Sequence, residues 1–404
     1  SIPVTGTNLA YFLRILALSV AAAAVPLLAI SPAILPATTE VPADPGVPGA
    51  DLAPIALLVD LNSGQELMER DADRRFVPAS ITKVMTLFVA FELIDEGKIS
   101  PTNIYTVRPE TFKEWHNKGS RMFLPHDARV SVDELLIGIA AVSANDGSIV
   151  LAEGAAGSVE KWLNLMNAKA RELGMQSSHF GTPNGWMDEG RTYTTARDLV
   201  ILSRAIITRH PYKYARYFGR HGFVYNGIAQ DNHDPMIGKV EGADGMKTGF
   251  TNEAGYGYLG TAVRGGRRLV MVVAASDTHQ RRRQAAYQLI EWGFDRFETR
   301  PLFAAGTQVG MAEVQNGMQS EVPLSAPANI NATFPAGSAQ SDVKLTIHYE
   351  GPLQAPVRQG ERIAELEIEV AGMPPSRVPL VTAEAVEKAG AWRRFVNGIT
   401  GIFT

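Results

Sequence analysis

A chain of 404 residues exceeds one average domain, and 45% hydrophobic against 20% charged residues supplies enough apolar sequence for packed cores. A formal charge of −4 offers no broad basic footprint, so nucleic acid is not an expected partner. The absence of cysteine excludes disulfides, Cys-ligated zinc and thiol catalysis.

Residues 1–33 read as a signal peptide or anchor. Arg14 precedes an uncharged run from Ile15 to Ile30, interrupted by Pro26. That run is short of the ~20 apolar residues a spanning helix needs. Residues 34–54 form a Pro-rich linker carrying Pro36, Pro42, Pro45, Pro48 and Pro54.

Folded sequence is expected from Ile55, with Ile55 to Leu61, the turn Asn62-Ser63-Gly64 and Gln65 to Arg70 forming a hairpin. Pro78 discourages helix before it, and from Ser80 onward Val84, Leu87, Phe88 and Phe91 recur at helical spacing. A helix from Ser80 to about Glu96 follows, closed by Gly97. Ser131-Val132-Asp133-Glu134 is a capping box opening a helix through Val142, and a second helix runs from near Asp146 to Ala155. Ser158 caps another, to Leu173, with Trp162, Leu165 and Met166 inward. Tyr193 to Asp198 opens a helix reaching Ile207. Three strand-like runs come next, Gly245 to Thr251, Gly255 to Val263 and Leu269 to Ala275, followed by a helix from Arg281 to Phe297. The fold class is therefore α/β in content (α+β), an antiparallel sheet with an α-rich insert over residues 55–299.

Period-two alternation at Val343 to Tyr349 and Ala364 to Val370 marks a small β domain, residues 300–381. Residues 382–404 read as an amphipathic helix, with Val386, Trp392, Phe395, Val396, Ile399, Ile402 and Phe403 on one side, suited to a membrane interface.

Chemistry concentrates in three places. Ser80 and Lys83 lie three residues apart, a hydroxyl with an amine one turn on. Ser-x-x-Lys is expected ~1–2 times by chance in such a chain, and Ser158–Lys161 and Ser341–Lys344 also match it. Ser143-Ala144-Asn145 sits between two helices, and Lys247-Thr248-Gly249 on a strand, where Gly249 would let another extended backbone lie close. Each triplet alone has an ordinary structural explanation. All three in this order do not.

The set resembles the penicillin-recognising serine enzymes and, within them, the low-molecular-mass D-alanyl-D-alanine carboxypeptidases of the bacterial periplasm. The likeness extends over Ile55 to Phe297 and includes Asp244-Gly245-Met246 and Thr195 to Asp198. It implies that Ser80 attacks the terminal D-Ala-D-Ala bond of a peptidoglycan stem peptide, that Lys83 takes its proton and that Ser143 relays one to the leaving amine. Asn145, Lys247, Thr248, Gly249 and Arg282 would bind substrate, and the backbone N–H groups of Ser80 and Phe250 would hold the oxyanion. β-Lactams would be covalent inhibitors, and no metal or organic cofactor is implied. The same likeness places the protein in the periplasm, attached to the inner membrane through its C-terminal helix. Position 250 is Phe where relatives often have His, which bears on substrate fit and deacylation.

Three rival readings follow from the same motifs. A class A-like β-lactamase needs a deacylating Glu, and Glu160 lies too close behind Ser143 for that family's spacing. A DD-endopeptidase would use the same residues on cross-links. A catalytically silent wall-binding or β-lactam-sensing module would have no reason to keep Ser80, Lys83, Ser143 and Lys247 together.

Overall fold

The computed structural model describes residues 2–3, 47–339 and 343–390. The chain divides into two compact units, Gly46–Thr299 and Arg300–Thr404, the latter joined by Ile2–Pro3, which pair with Ile347 and Thr346.

In the first unit, β1 (Ile55–Asp60) is buried along its whole length, as a continuous apolar run in mid-sheet should be. It turns at Gly64, whose φ of 76° suits glycine, into β2 (Glu66–Arg70). Helices α1 (Lys83–Asp95), α2 (Pro109–Trp115), α3 (Val132–Val142), α4 (Asn145–Ala156), α5 (Val159–Leu173), α6 (Ala196–Arg209) and α7 (Pro211–Tyr217) follow. The chain then returns to the sheet as β3 (Ala243–Thr251), β4 (Gly255–Arg264) and β5 (Arg267–Ser276), and closes with α8 (His279–Arg296). The sheet order is β2-β1-β5-β4-β3, antiparallel throughout, so β3 is an edge strand.

Why these helices start where they do is visible in the caps. Ser131 Oγ accepts from Glu134 N at 3.2 Å while Glu134 Oε2 accepts from Ser131 N at 2.9 Å, the reciprocal pair expected of a capping box. Ser158, Thr195 and Thr278 each accept from the backbone N–H three residues on. Helix α1 is apolar nearly all round and is buried from Lys83 to Phe91, which makes it the central helix. Ile55, Leu57 and Val59 share a core with it, and on the other face Leu58 meets α8, where Gly293 has no Cβ to hold the helix away.

Two helices and two antiparallel strand pairs were not foreseen. Both short helices, α2 and α7, begin with proline at their first position, a start signal that was present in the sequence. Ile104–Thr106 pairs with Arg129–Ser131 across the segment that holds α2, and Gly222–Tyr225 with Ile228–Asp231 as a tight hairpin.

Among its described residues the second unit is all-β. Its main sheet runs in the order Ile2–Pro3, Val343–Tyr349, Arg362–Val370, Ser376–Thr382, Glu321–Ser325, Gln308–Gln315 and Leu353–Gln354. Leu345 and Ile347 lie opposite Ile368 and Leu366, so the alternating apolar positions fill one core. The tail expectation needs correcting here. Residues 383–390 are extended rather than helical: Val386 pairs with Val357, Lys388 with Gly317, and Val386 and Ala389 are buried. The apolar side chains that suggested a helix face from Ala383 are spent, at Val386, on the β core. The rest of the proposed amphipathic helix, residues 391–404, and residues 4–46 of the leader and linker lie outside the described residues.

Candidate active site

Ser80 does not sit in the α-helix itself but in a single 3-10 turn, Ala79–Thr82, immediately before α1. In a 3-10 turn, side chains three apart eclipse, and Lys83 Nζ accordingly lies 2.8 Å from Ser80 Oγ. Ala79 has φ of 50°, a conformation costly for a side chain with a Cβ. The turn is wedged in place by two glycines. A Cβ on Gly185 would strike the carbonyl of Ala79, and one on Gly249 the carbonyl of Pro78. Gly249 was expected to let another backbone lie close, and on this side the backbone it meets is that of Pro78.

Lys83 is fully buried. Its ammonium nitrogen is 2.7 Å from Asn145 Oδ1 and 2.7 Å from the Asn184 carbonyl as well as 2.8 Å from Ser80. Thr86, one turn further along α1, donates to the Pro183 carbonyl at 2.6 Å and so fixes the loop that presents Asn184. Burial first, then the nearby charge of Lys247, pulls the Lys83 amine well below its ordinary range, against a smaller opposing effect of Asp146.

Ser143 ends α3 in the left-handed conformation, φ 58° and ψ 44°, and this reversal sends the chain straight into α4. Serine there is strained where glycine would not be. Asn145 lines the cleft, but both ends of its amide already have protein partners: Oδ1 takes Lys83, and Nδ2 donates to the Lys118 carbonyl at 3.2 Å. One amide hydrogen remains for a ligand. Asp146 ties the facing loop down by accepting from Met122 N at 3.0 Å and Leu124 N at 3.1 Å.

The edge strand closes the other side. Lys247 is buried, and burial together with Arg282 lowers its amine to about 7. Arg282, in the first turn of α8, is also buried; it reaches the Gly257 carbonyl at 3.4 Å and lies over the Tyr256 ring at 5.5 Å. Phe250 stacks on Tyr256 with ring centroids 4.2 Å apart and is 47% exposed.

Ser80, Ser143, Asn145, Lys247, Thr248, Gly249, Phe250 and Arg282 all line one cleft of about 570 Å³. Lys83 forms its floor through the contact with Ser80. The structure thus brings together every residue the motifs singled out. It adds Gly119, Ser120, Trp186, Met187, His233 and His279, which carry no motif. Trp186 packs edge-on against Trp115 at 5.7 Å. His233 is held neutral, lowered to about 4 by burial and by Lys247 and Lys83. Among the described residues lining the cleft there is no Asp or Glu, and Glu160 is exposed on α5.

This cleft at the edge of an antiparallel sheet, with its serine backed by a buried amine, defines the penicillin-recognising serine enzymes as the class. Within that class the chain belongs to the D-alanyl-D-alanine carboxypeptidase family, which it matches over residues 45–278; residues 297–388 match the penicillin-binding protein 5 C-terminal domain. It is 32% identical to the D-alanyl-D-alanine carboxypeptidase DacA of Haemophilus influenzae over 86% of this chain and 90% of that one. Penicillin-binding protein 5 from Haemophilus influenzae superposes with a TM-score of 0.75 and 32% identity, covering 85% of this chain and 99% of that one. Penicillin-binding protein D2 from Listeria monocytogenes in its ampicillin-bound form gives a TM-score of 0.53 at 29% identity, covering 60% and 97%. The protein is a serine-type D-Ala-D-Ala carboxypeptidase, a hydrolase of cell-wall peptide.

Proposed function

We propose that Ser80 is the nucleophile and Lys83 its base in removing the terminal D-alanine from a peptidoglycan stem pentapeptide. The observation that carries this reading is the 2.8 Å contact between the buried Lys83 Nζ and Ser80 Oγ. Of its three close partners, Asn184 O and Asn145 Oδ1 can only accept. In the neutral amine the reaction needs, two hydrogens stay on these acceptors and the lone pair is left for the Ser80 proton across the 2.8 Å contact. Burial beside Lys247 favours that neutral form.

Ser80 Oγ attacks the carbonyl of the D-Ala-D-Ala bond as its proton passes to Lys83. The oxyanion is held by the Ser80 and Phe250 backbone N–H groups. The proton moves through Ser143 to the leaving nitrogen, the C–N bond breaks, and D-alanine departs with its carboxylate released from Lys247, Thr248 and Arg282. Lys83, neutral again, takes a proton from the water that attacks the Ser80 ester and returns it to Ser80 Oγ as the ester C–O bond breaks, which frees the shortened peptide as its carboxylate. With no carboxylate among the described residues lining the cleft to activate that water independently, the site supports a carboxypeptidase over a class A-like β-lactamase. β-Lactams would acylate Ser80 in the same way.

The family and the amphipathic sequence of residues 391–404 support a periplasmic enzyme held peripherally at the inner membrane. No helix among the described residues is long and apolar enough to cross a membrane. The deciding experiment is mass spectrometry of a D-Ala-D-Ala pentapeptide incubated with the enzyme, in parallel with fluorescent-penicillin labelling. Ser80→Ala should lose both D-alanine release and the label; label on another residue overturns the assignment.

A further inference from the structure

Behind the cationic wall of the cleft lies an acidic group that the reaction above does not use. Asp234 is half-buried with its carboxylate turned inward, and it is held through a single oxygen. Its Oδ1 accepts from Met236 N at 2.9 Å, Ile237 N at 3.3 Å and the Tyr258 hydroxyl at 2.7 Å. Tyr258 stands opposite Thr248 on the neighbouring strand and so connects Asp234 to the strand that carries Lys247. The second oxygen, Oδ2, is buried with no hydrogen-bond partner among the described residues, and so is Arg282 Nε. A buried acceptor and a buried donor, each left over in the same corner, are costly to keep unless they serve each other's charge.

We propose that Asp234 is a positioning residue for the reaction, a buried counter-charge that holds Lys247 and Arg282 in the cationic state and placement needed to take the carboxylate of the terminal D-alanine. This rests on the reading of Lys247 and Arg282 as the carboxylate holders. The charges in this corner are otherwise one-sided. Lys83 on α1, Lys247 on β3 and Arg282 on α8 crowd together, with His233 and His279 beside them. Asp234 is the carboxylate that acts on both Lys247 and Arg282, whereas Asp146 acts on Lys83. The other ionisable groups facing Asp234 are Tyr258 on β4, Tyr287 on α8 and Tyr214 on α7, the last beside the Asp244–Arg268 ion pair. Burial and Arg282 together bring Lys247 to about 7, and Asp234 opposes both. Without it the amine would lose its proton at still lower pH, and the cleft would lose a carboxylate ligand in the neutral range.

The alternative role, capping the 234–237 turn, needs an acceptor and no charge. Asp234→Asn and Asp234→Ser keep an acceptor and remove the charge, and so separate the two. The measurement is kcat and KM for D-alanine release from a D-Ala-D-Ala pentapeptide between pH 6 and 9. The alkaline limb of kcat/KM should move down by roughly one pH unit in both variants, a tenfold change in the proton affinity of Lys247. KM should rise about tenfold at pH 8 and about twofold at pH 6, and Asp234→Glu should restore part of the shift. A uniform loss across the pH range, or an unmoved limb, overturns the proposal. If Arg282→Ala leaves KM unchanged, the carboxylate reading itself fails. An unmoved limb with the Arg282 effect intact sinks only the role of Asp234. Should neither charge-free variant fold, Asp234→Glu decides: the Lys247 ε-carbon resonance, assigned by its loss in Lys247→Arg, should titrate at a different pH from the wild type, and an unchanged titration overturns the proposal.

Discussion

Lys83 and Lys247 face one cleft, yet the proposed reaction needs the first without its proton and the second with it. Burial pushes both amines the same way, downward. As pH falls, Lys83 gains a proton and Ser80 loses its base; as pH rises through about 7, Lys247 gives up the charge that receives the substrate carboxylate. A plot of kcat/KM against pH should therefore be bell-shaped with its descending limb near neutrality, and the two apparent values belong to the coupled pair. Lys83→Arg, which cannot be neutral, should slow acylation by benzylpenicillin by on the order of 10²–10⁴-fold in stopped flow while leaving the fold intact. Those side chains lining the cleft that the sequence singled out were legible because, Arg282 apart, each sits in a short motif. What was not legible was contributed by backbone: the Asn184 carbonyl that takes a Lys83 hydrogen, and the left-handed turn at Ser143 where a reader expects glycine. Asn145 was read correctly as a cleft residue, but its internal bonds to Lys83 and Lys118 depend on contacts far away in the chain.

At the level of elements, local signals were sufficient wherever the cause was local. The capping box at Ser131 and Glu134 predicts α3 to the residue, and Ser131→Ala should lower stability by about 1 kcal/mol in denaturant unfolding with kcat/KM retained. The glycine of the edge strand behaves in the opposite way. Gly249→Ala places a methyl against the Pro78 carbonyl and must shift the turn that carries Ser80. Penicillin acylation should fall on the order of 10²-fold, because misplacing a nucleophile by about 1 Å costs that much, with a smaller effect on Tm. Residues 383–390 were misread because an amphipathic period and an extended segment with one buried valine share the same letters. The pairing of Val386 with Val357 is a tertiary fact.

For the whole molecule, the described chain runs as far as Gly390 within the β unit, and the apolar face proposed for the membrane begins beyond it. Removing residues 391–404 should therefore move the enzyme to the soluble fraction on cell fractionation without changing D-alanine release. An enzyme that stays with the membrane would assign the attachment to another segment. The wedge formed by Pro78 and Ala79 between Gly185 and Gly249 has a consequence for heredity as well as for chemistry. Where a side chain obstructs, a second mutation elsewhere can trim it; here the obstacle is a main-chain oxygen, which no codon change removes. A selection for revertants of either glycine variant should return almost nothing but glycine at that same site.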